Sequence, residues 1–386
     1  MGNQNFIYAD NAATTALLPE VLEVMLPYYT EYYGNASSPY SIGRKSKAAL
    51  ENARMEIAAC LGAKKQEILF TSGGTESNNW AIRSIMKMKS QEGKHHLITS
   101  QIEHPSVLNV CKALEKSGGE VTYLPVEKNG IVNPALVKES IRPATALVTI
   151  MMANNEIGTI QPIEKIGYIC HENNILFHTD AVQAVGHLPI SLSDLPVDLL
   201  SFSGHKFHAP KGIGGLYVKP SLEIAPLLWG GEQERAKRPG TENIAAAIGL
   251  AEALKLSCQK MEERNAYVLS LREQLIDQVL QIPQSFLNGD RTERLPSNTN
   301  FCFEGIEGES LLLMLDMRGI CCSSGSACTS GAADPSHVIL ALGVSKDMAR
   351  SSLRISLSHL NTQEEIETIV HAINDSVTRL RRLNPA

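Results

Sequence analysis

Between residues 45 and 220 the chain alternates short apolar runs with stretches of helical periodicity, and that alternation restricts the fold more than any other feature. Glu67-Ile68-Leu69-Phe70, His96-Leu97-Ile98-Thr99 and Val121-Thr122-Tyr123-Leu124 have strand length, as do 146–152, 175–179 and 197–202. Helical spacing fills 44–60, where Ala48, Ala49, Ala53, Ile57 and Ala58 recur, and also 75–88, 107–116 and 163–173. Strands and helices taken in turn predict an α/β fold built on a mostly parallel sheet flanked by helices. After Glu242 the texture changes. The stretch 244–281 has no proline and one glycine, Gly249, which predicts a single long helix leading to a smaller α+β unit. That unit has strands near 298–303 and 353–358. Its last helix opens on the capping-box pattern Thr362-Gln363-Glu364-Glu365, carries Ile366, Ile369, Val370, Ile373 and Val377 on one face, and ends in Arg379, Arg381 and Arg382.

Composition narrows the function classes. A net charge of −6 provides no basic footprint for nucleic acid. No apolar run approaches membrane-spanning length; 144–153, among the longest, reads as a buried strand. The first residues have neither the basic nor the apolar region of a signal peptide, and Phe6 stands where a myristoylation site needs Ser or Thr. The eight cysteines are scattered and form no Cys-x-x-Cys pair, so a cytoplasmic protein with reduced thiols and no metal is expected.

In such sheets the chemistry lies beyond the carboxyl ends of the strands, and that is where the polar residues gather. Ser203-Gly204-His205-Lys206 follows the run ending at Phe202, and a lysine delivered into a turn of small residues can condense with an aldehyde. Thr71-Ser72-Gly73-Gly74-Thr75 reads either as an anion-binding helix start or as an ordinary capped turn. Asp180, at a buried strand end, is either the partner of a cationic ring nitrogen or the N-cap of the following segment. His104 is either a stacked ring and proton carrier or a structural histidine. Arg354, in the apolar run Leu353-Arg354-Ile355, needs a carboxylate, and a substrate can supply one. The small-residue stretch from Ser323 to Gly331 places Cys328 on an exposed loop, whereas Cys321 and Cys322 read as the end of a buried strand.

These segments occur in order with Tyr8-Ala9-Asp10-Asn11-Ala12-Ala13-Thr14-Thr15, Tyr33-Gly34-Asn35-Ala36-Ser37-Ser38, Asn154-Asn155-Glu156-Ile157-Gly158 and Arg238-Pro239-Gly240-Thr241-Glu242-Asn243. Over nearly its whole length the chain resembles the NifS/IscS group of cysteine desulfurases, with the Arg-Pro-Gly-Thr-Glu-Asn and Cys-Thr-Ser-Gly runs closer to NifS. The resemblance implies the aspartate-aminotransferase-like fold (fold type I), with a large domain over 15–260 that binds pyridoxal 5'-phosphate. A small domain of 1–14 and 261–386 would carry the cysteine loop.

By the same resemblance Lys206 anchors the cofactor, Asp180 pairs with its ring nitrogen and His104 stacks on it and moves protons. Gln183 bonds its phenolic oxygen. Gly74, Thr75, Ser203 and His205 surround its phosphate, with Thr241 supplied by the second subunit of a homodimer. Asn155 and Arg354 hold the carboxylate of L-cysteine, and Cys328 takes its sulfur as a persulfide for an iron–sulfur scaffold or another acceptor protein. Selenocysteine lyase is the nearest rival reading. Ala12-Ala13 is a variant with no expected effect on the chemistry. Cys322, six residues before Cys328, is expected to form a disulfide with it on oxidation.

Overall fold

In the computed structural model, which describes residues 6–324 and 335–383, seven strands form one twisted sheet. Numbered in chain order with the remaining strands, they are β2 (Ile68–Thr71), β3 (His96–Ser100), β4 (Glu120–Leu124), β5 (Thr145–Thr149), β6 (Leu176–Asp180), β7 (Leu199–Ser203) and β8 (Gly214–Val218). Their order is β2-β8-β7-β6-β5-β3-β4, and only β8 runs against the rest. The sheet is therefore mixed and mostly parallel, as the alternating pattern predicts.

Both faces are buried, so the strands alternate between two cores rather than between core and water. Ile98, Val148, Phe177, Leu200 and Phe202 face the helices Ser41–Cys60 and Ile244–Gln259. Leu97, Leu147, Leu199 and Leu216 face Trp80, Ile82 and Ile85 of the helix Gly74–Ser90. Each such side chain contributes about 1.5–3 kcal/mol by burial.

A separate core belongs to the three-stranded antiparallel sheet of β9 (Ser285–Leu287), β10 (Asn298–Phe303) and β12 (Ser352–Ser356), ordered β12-β10-β9. It packs on the helices Met261–Val279 and Gln363–Leu383, and Ala9 lies within it. The N-terminal strand β1 (Ile7–Tyr8) pairs in parallel with β11 (Ile320–Cys321), and Asp10 bridges to Ser356. The first residues of the chain are thus stitched to its last third.

The single helix expected over 244–281 is two helices, Ile244–Gln259 and Met261–Val279, broken at Lys260 (φ −115°, ψ 16°). Nothing local forces the break. The first half packs on Ser41–Cys60 and the second on Gln363–Leu383, so the two cores pull one helical sequence in two directions. None of the described helices is long and apolar enough to cross a membrane.

Candidate active site

The ends of β2, β3, β5, β6 and β7 converge on one region. Past β2, Gly73 adopts φ 146°, open in practice only to glycine, and starts the helix Gly74–Ser90. A Cβ on Gly74 would lie 2.5 Å from Val182 Cγ2, and one on Gly73 would meet Ser203 Oγ at 3.3 Å. The two glycines thus form a cradle packed against Val182 and the end of β7. Thr75 is exposed in the first turn of the helix, where unpaired N–H groups attract anions. Beside it opens a cavity of about 650 Å3 lined by Thr75, Asn79, Arg83, His104 and Ser106.

Asp180 ends β6, 5% exposed. Its carboxylate accepts from Asn78 Nδ2 at 2.6 Å and from the Val182 N–H at 3.0 Å, and it forms no ion pair among the described residues. No helix follows Asp180, so the helix N-cap reading is not met: the bond to Val182 closes a turn, while the rest of the carboxylate remains available to a cation. Asn78 also donates to Ser106 Oγ at 2.9 Å, and its buried Oδ1 has no partner. Ser106 in turn contacts His104 Nδ1 at 2.7 Å, and the Ser106 N–H donates to the same nitrogen at 3.1 Å. His104 caps the helix Pro105–Lys116 through that bond. With Nδ1 accepting, its proton sits on Nε2. Burial, then the Lys206 and His337 charges, hold its pKa below the ordinary value against the opposing pull of Asp180. Both readings of His104, structural and chemical, are thus compatible in one residue.

Lys206 ends the short turn after β7. Its Nζ donates to the carbonyls of Ala12 and Ala13 at 2.7 and 2.8 Å, and Gln183 Nε2 also donates to Ala12 O at 2.9 Å. His187 fixes the Lys206 backbone through its carbonyl at 2.9 Å. His205 contacts Thr14 Oγ1 at 3.2 Å, and burial together with the charges of Lys206 and Lys211 lowers its pKa to about 4. At neutral pH it is an uncharged ring.

Arg354 is 3% exposed and lies beside Asn155. It donates to Asn155 O at 3.0 Å and to Asp10 Oδ1 at 2.7 Å, while its buried Nε has no partner. A carboxylate ligand would satisfy that orphan N–H. The Asp10–Ala13 stretch therefore joins the two halves of the site, with its carboxylate on Arg354 and two carbonyls on Lys206.

Cys328 lies outside the described residues, and with it the expected Cys322 disulfide. Cys322 itself is half-buried, and burial, then the Asp10 and Cys321 charges, push its thiol up to about 12. Thr241 is exposed on the stretch before the helix Ile244–Gln259. Among the described residues no group of His, Cys, Asp and Glu could hold a metal ion.

Several contributors were not read from the sequence. Asp10 and the Ala12 and Ala13 carbonyls lie some two hundred residues or more from their partners, and backbone carbonyls leave no trace in side-chain identity. Asn78 carries no signal of its own inside the Thr-Glu-Ser-Asn run, although a helix places it one turn from Thr75. Glu103 is fully buried, takes bonds from Ser100 Oγ at 2.6 Å and from the Met151 N–H, and burial raises its pKa to about 8. His337 contacts the Glu103 carbonyl at 3.1 Å.

The donor set fits pyridoxal phosphate: a lysine, an anion cradle, a carboxylate with no cation on it among the described residues, and an arginine with an orphan N–H. Comparison with known proteins agrees. The family profile of class-V aminotransferases matches residues 7–369. A cysteine desulfurase IscS from Methanosarcina thermophila is 52% identical over 98% of this chain and 94% of its own. Another from Clostridium botulinum is 49% identical over 98% and 96%. A solved NifS-like protein superposes with a TM-score of 0.92 at 36% identity, covering 97% of this chain and all of its own. The structure described as SspA in complex with cysteine gives a TM-score of 0.81 at 38% identity, over 92% and 99% of the two chains. The resemblance seen in the motifs is borne out, and the chain belongs to the class-V aminotransferase family.

Proposed function

We propose that this chain is a cysteine desulfurase that converts L-cysteine to L-alanine and takes the sulfur onto Cys328 as a persulfide. The observation that carries this reading is the Asp10–Ala13 stretch, which bonds to both Lys206 and Arg354. An amine and a carboxylate receptor on one short segment suit an α-amino acid. A solved relative described in complex with cysteine supports the choice of substrate.

Pyridoxal phosphate is the family's cofactor, and when bound it supplies an aldehyde for an amine and a ring that accepts electrons from the substrate carbon. Lys206 would hold it covalently and afterwards carry the proton of the substrate α-carbon. Asp180, oriented by Asn78 and the Val182 N–H, would keep the ring nitrogen protonated. Gly74, Thr75, Ser203 and His205 would surround the phosphate, and Gln183 would reach the phenolic oxygen by leaving the Ala12 carbonyl. Arg354 and Asn155 would take the substrate carboxylate. His104, neutral and carrying its proton on Nε2, can exchange a proton with the substrate thiol. Attack of the Cys328 thiolate on the substrate sulfur would form a sulfur–sulfur bond as the carbon–sulfur bond breaks; the electron pair of that bond stays with the carbon skeleton, which takes up a proton and becomes alanine.

In the same reading Thr241 completes the phosphate site of a second subunit in a homodimer. The chain divides into a large domain of 15–260 and a small one of 1–14 and 261–386, and it works in the cytoplasm. An iron–sulfur scaffold or another acceptor protein receives the sulfur. The test is alanine formation from L-cysteine by wild type, K206A and C328A. Both variants are expected to be inactive, K206A without the visible absorbance of lysine-bound cofactor and C328A with it. An active C328A would overturn the reading.

A further inference from the structure

Glu76 presents a problem for the cofactor site. It lies in the first turn of the helix whose start forms the anion cradle, and its Oε2 accepts the Ser72 N–H at 2.8 Å. A carboxylate there is a good partner for the helix N-terminus. It also repels any phosphate that the same N-terminus would bind. Arg238 lies on it, with Nε to Oε1 at 2.9 Å and Nη2 to Oε2 at 3.3 Å.

Arg238 is held there by an unusual turn. Glu234, Arg235 and Ala236 have φ of 47°, 59° and 57°, three successive left-handed residues without a glycine among them. Such a run is strained for L-residues and needs external support. The support comes from a buried ion pair. Arg54 meets Glu234 with two bonds, Nη1 to Oε2 at 2.7 Å and Nη2 to Oε1 at 2.6 Å. The Phe70 N–H donates to the same carboxylate at 2.9 Å, and the Arg54 guanidinium lies 4.6 Å from the centre of the Phe70 ring. Arg235 adds bonds to the carbonyls of Gln66 and Ile68 at 2.7 and 3.0 Å. The strained turn is thus clamped onto β2, the strand that leads into the cradle.

We infer that Arg238, presented by the turn that Arg54 and Glu234 lock, cancels the charge of Glu76 and thereby lets the cradle retain a phosphorylated cofactor. Arg238 and Glu234 are positioning residues, since neither needs to touch the phosphate. The inference rests on the reading that places the phosphate at Gly74, Thr75 and Ser203.

The experiment follows the loss of lysine-bound absorbance when holoenzyme is diluted into a trap for free cofactor. R238M is expected to lose pyridoxal phosphate about tenfold faster than wild type, the effect of one unneutralised charge at this range. The double variant R238M/E76Q recovers to within about threefold, because the offending charge is gone. E234Q, which weakens the clamp, falls between wild type and R238M. R238K keeps the charge and stays near wild type, so it and the double variant carry the test should R238M not fold. Retention of phosphate-free pyridoxal is the same in all of them. Failure of E76Q to rescue, or an equal loss of pyridoxal, overturns the inference. T75A and S203A that retain pyridoxal phosphate like wild type would instead overturn the phosphate placement beneath it.

Discussion

Replacing Asp10 by asparagine should lower the stability of the protein and raise its affinity for substrate. The side chains of Arg354 and Asp10 are 3% and 18% exposed, and they meet at 2.7 Å. Removing one partner of such a pair costs about 3–5 kcal/mol, since the other charge stays buried without compensation. Asparagine keeps the hydrogen-bond acceptor, so the loss should be nearer 2–3 kcal/mol. At about 2.1 cal/mol/K per residue, a chain of this size melts on the order of 1 °C lower for each kcal/mol lost, which gives a fall of about 3 °C. The substrate carboxylate gains from the same change. It no longer shares Arg354 with a resident carboxylate, a repulsion that partial neutralisation reduces to about 1 kcal/mol, or roughly fivefold in KM. The assay is differential scanning fluorimetry with and without L-cysteine, beside steady-state alanine formation. D10N should show the lower melting point and the larger stabilisation by cysteine. An unchanged melting point together with a raised KM would refute the assignment of Asp10 as the counter-ion that the substrate relieves.

Other predictions come from single contacts. N78D would place a second carboxylate 2.6 Å from Asp180, where both cannot ionise, so activity should fall by about a hundredfold with the cofactor still bound. Alkylation followed by peptide mass mapping should find Cys322 nearly unmodified at neutral pH, since its thiol is pushed up to about 12; rapid labelling would contradict that environment. His178 is fully buried between Thr149 Oγ1 and Ser201 Oγ, and burial depresses its pKa to about 3 from 6.5. The unfolded chain therefore binds the extra proton between these values. Stability contributed by the neutral ring is intact above pH 6.5 and is lost as pH falls towards 3, by roughly 5 kcal/mol in all. H178Q should flatten the acid limb of a denaturation profile, and an unchanged limb would exclude His178 as its source.

The parts of this molecule that were legible in the sequence are the local ones. Lys206, Asp180 and the Gly73-Gly74 turn each follow an apolar run directly, and a parallel sheet aligns the ends of such runs. Arg354 was legible because a charge inside a strand needs an answer. What escaped was set by contacts across the chain. The bond from Asn78 to Asp180 spans 102 residues and the pair of Arg354 with Asp10 spans 344, with no periodicity to announce either. Strand β8 was hidden by Gly214 and Gly215, which dilute its apolar pattern. Lys260 interrupts a helix with neither proline nor glycine, because the demand comes from two separate cores. Ala12 and Ala13 read as neutral variants, and the structure explains why: it is their backbone groups that bond, and most residues offer the same ones.

The most direct test of the proposed activity is a single turnover of L-cysteine on the holoenzyme, without acceptor or reductant, followed by intact and peptide mass analysis. The account predicts one added sulfur atom on Cys328 for each alanine released, with Cys321 and Cys322 unchanged. Alanine released without sulfur on Cys328, or sulfur found on Cys321 or Cys322 instead, would contradict it.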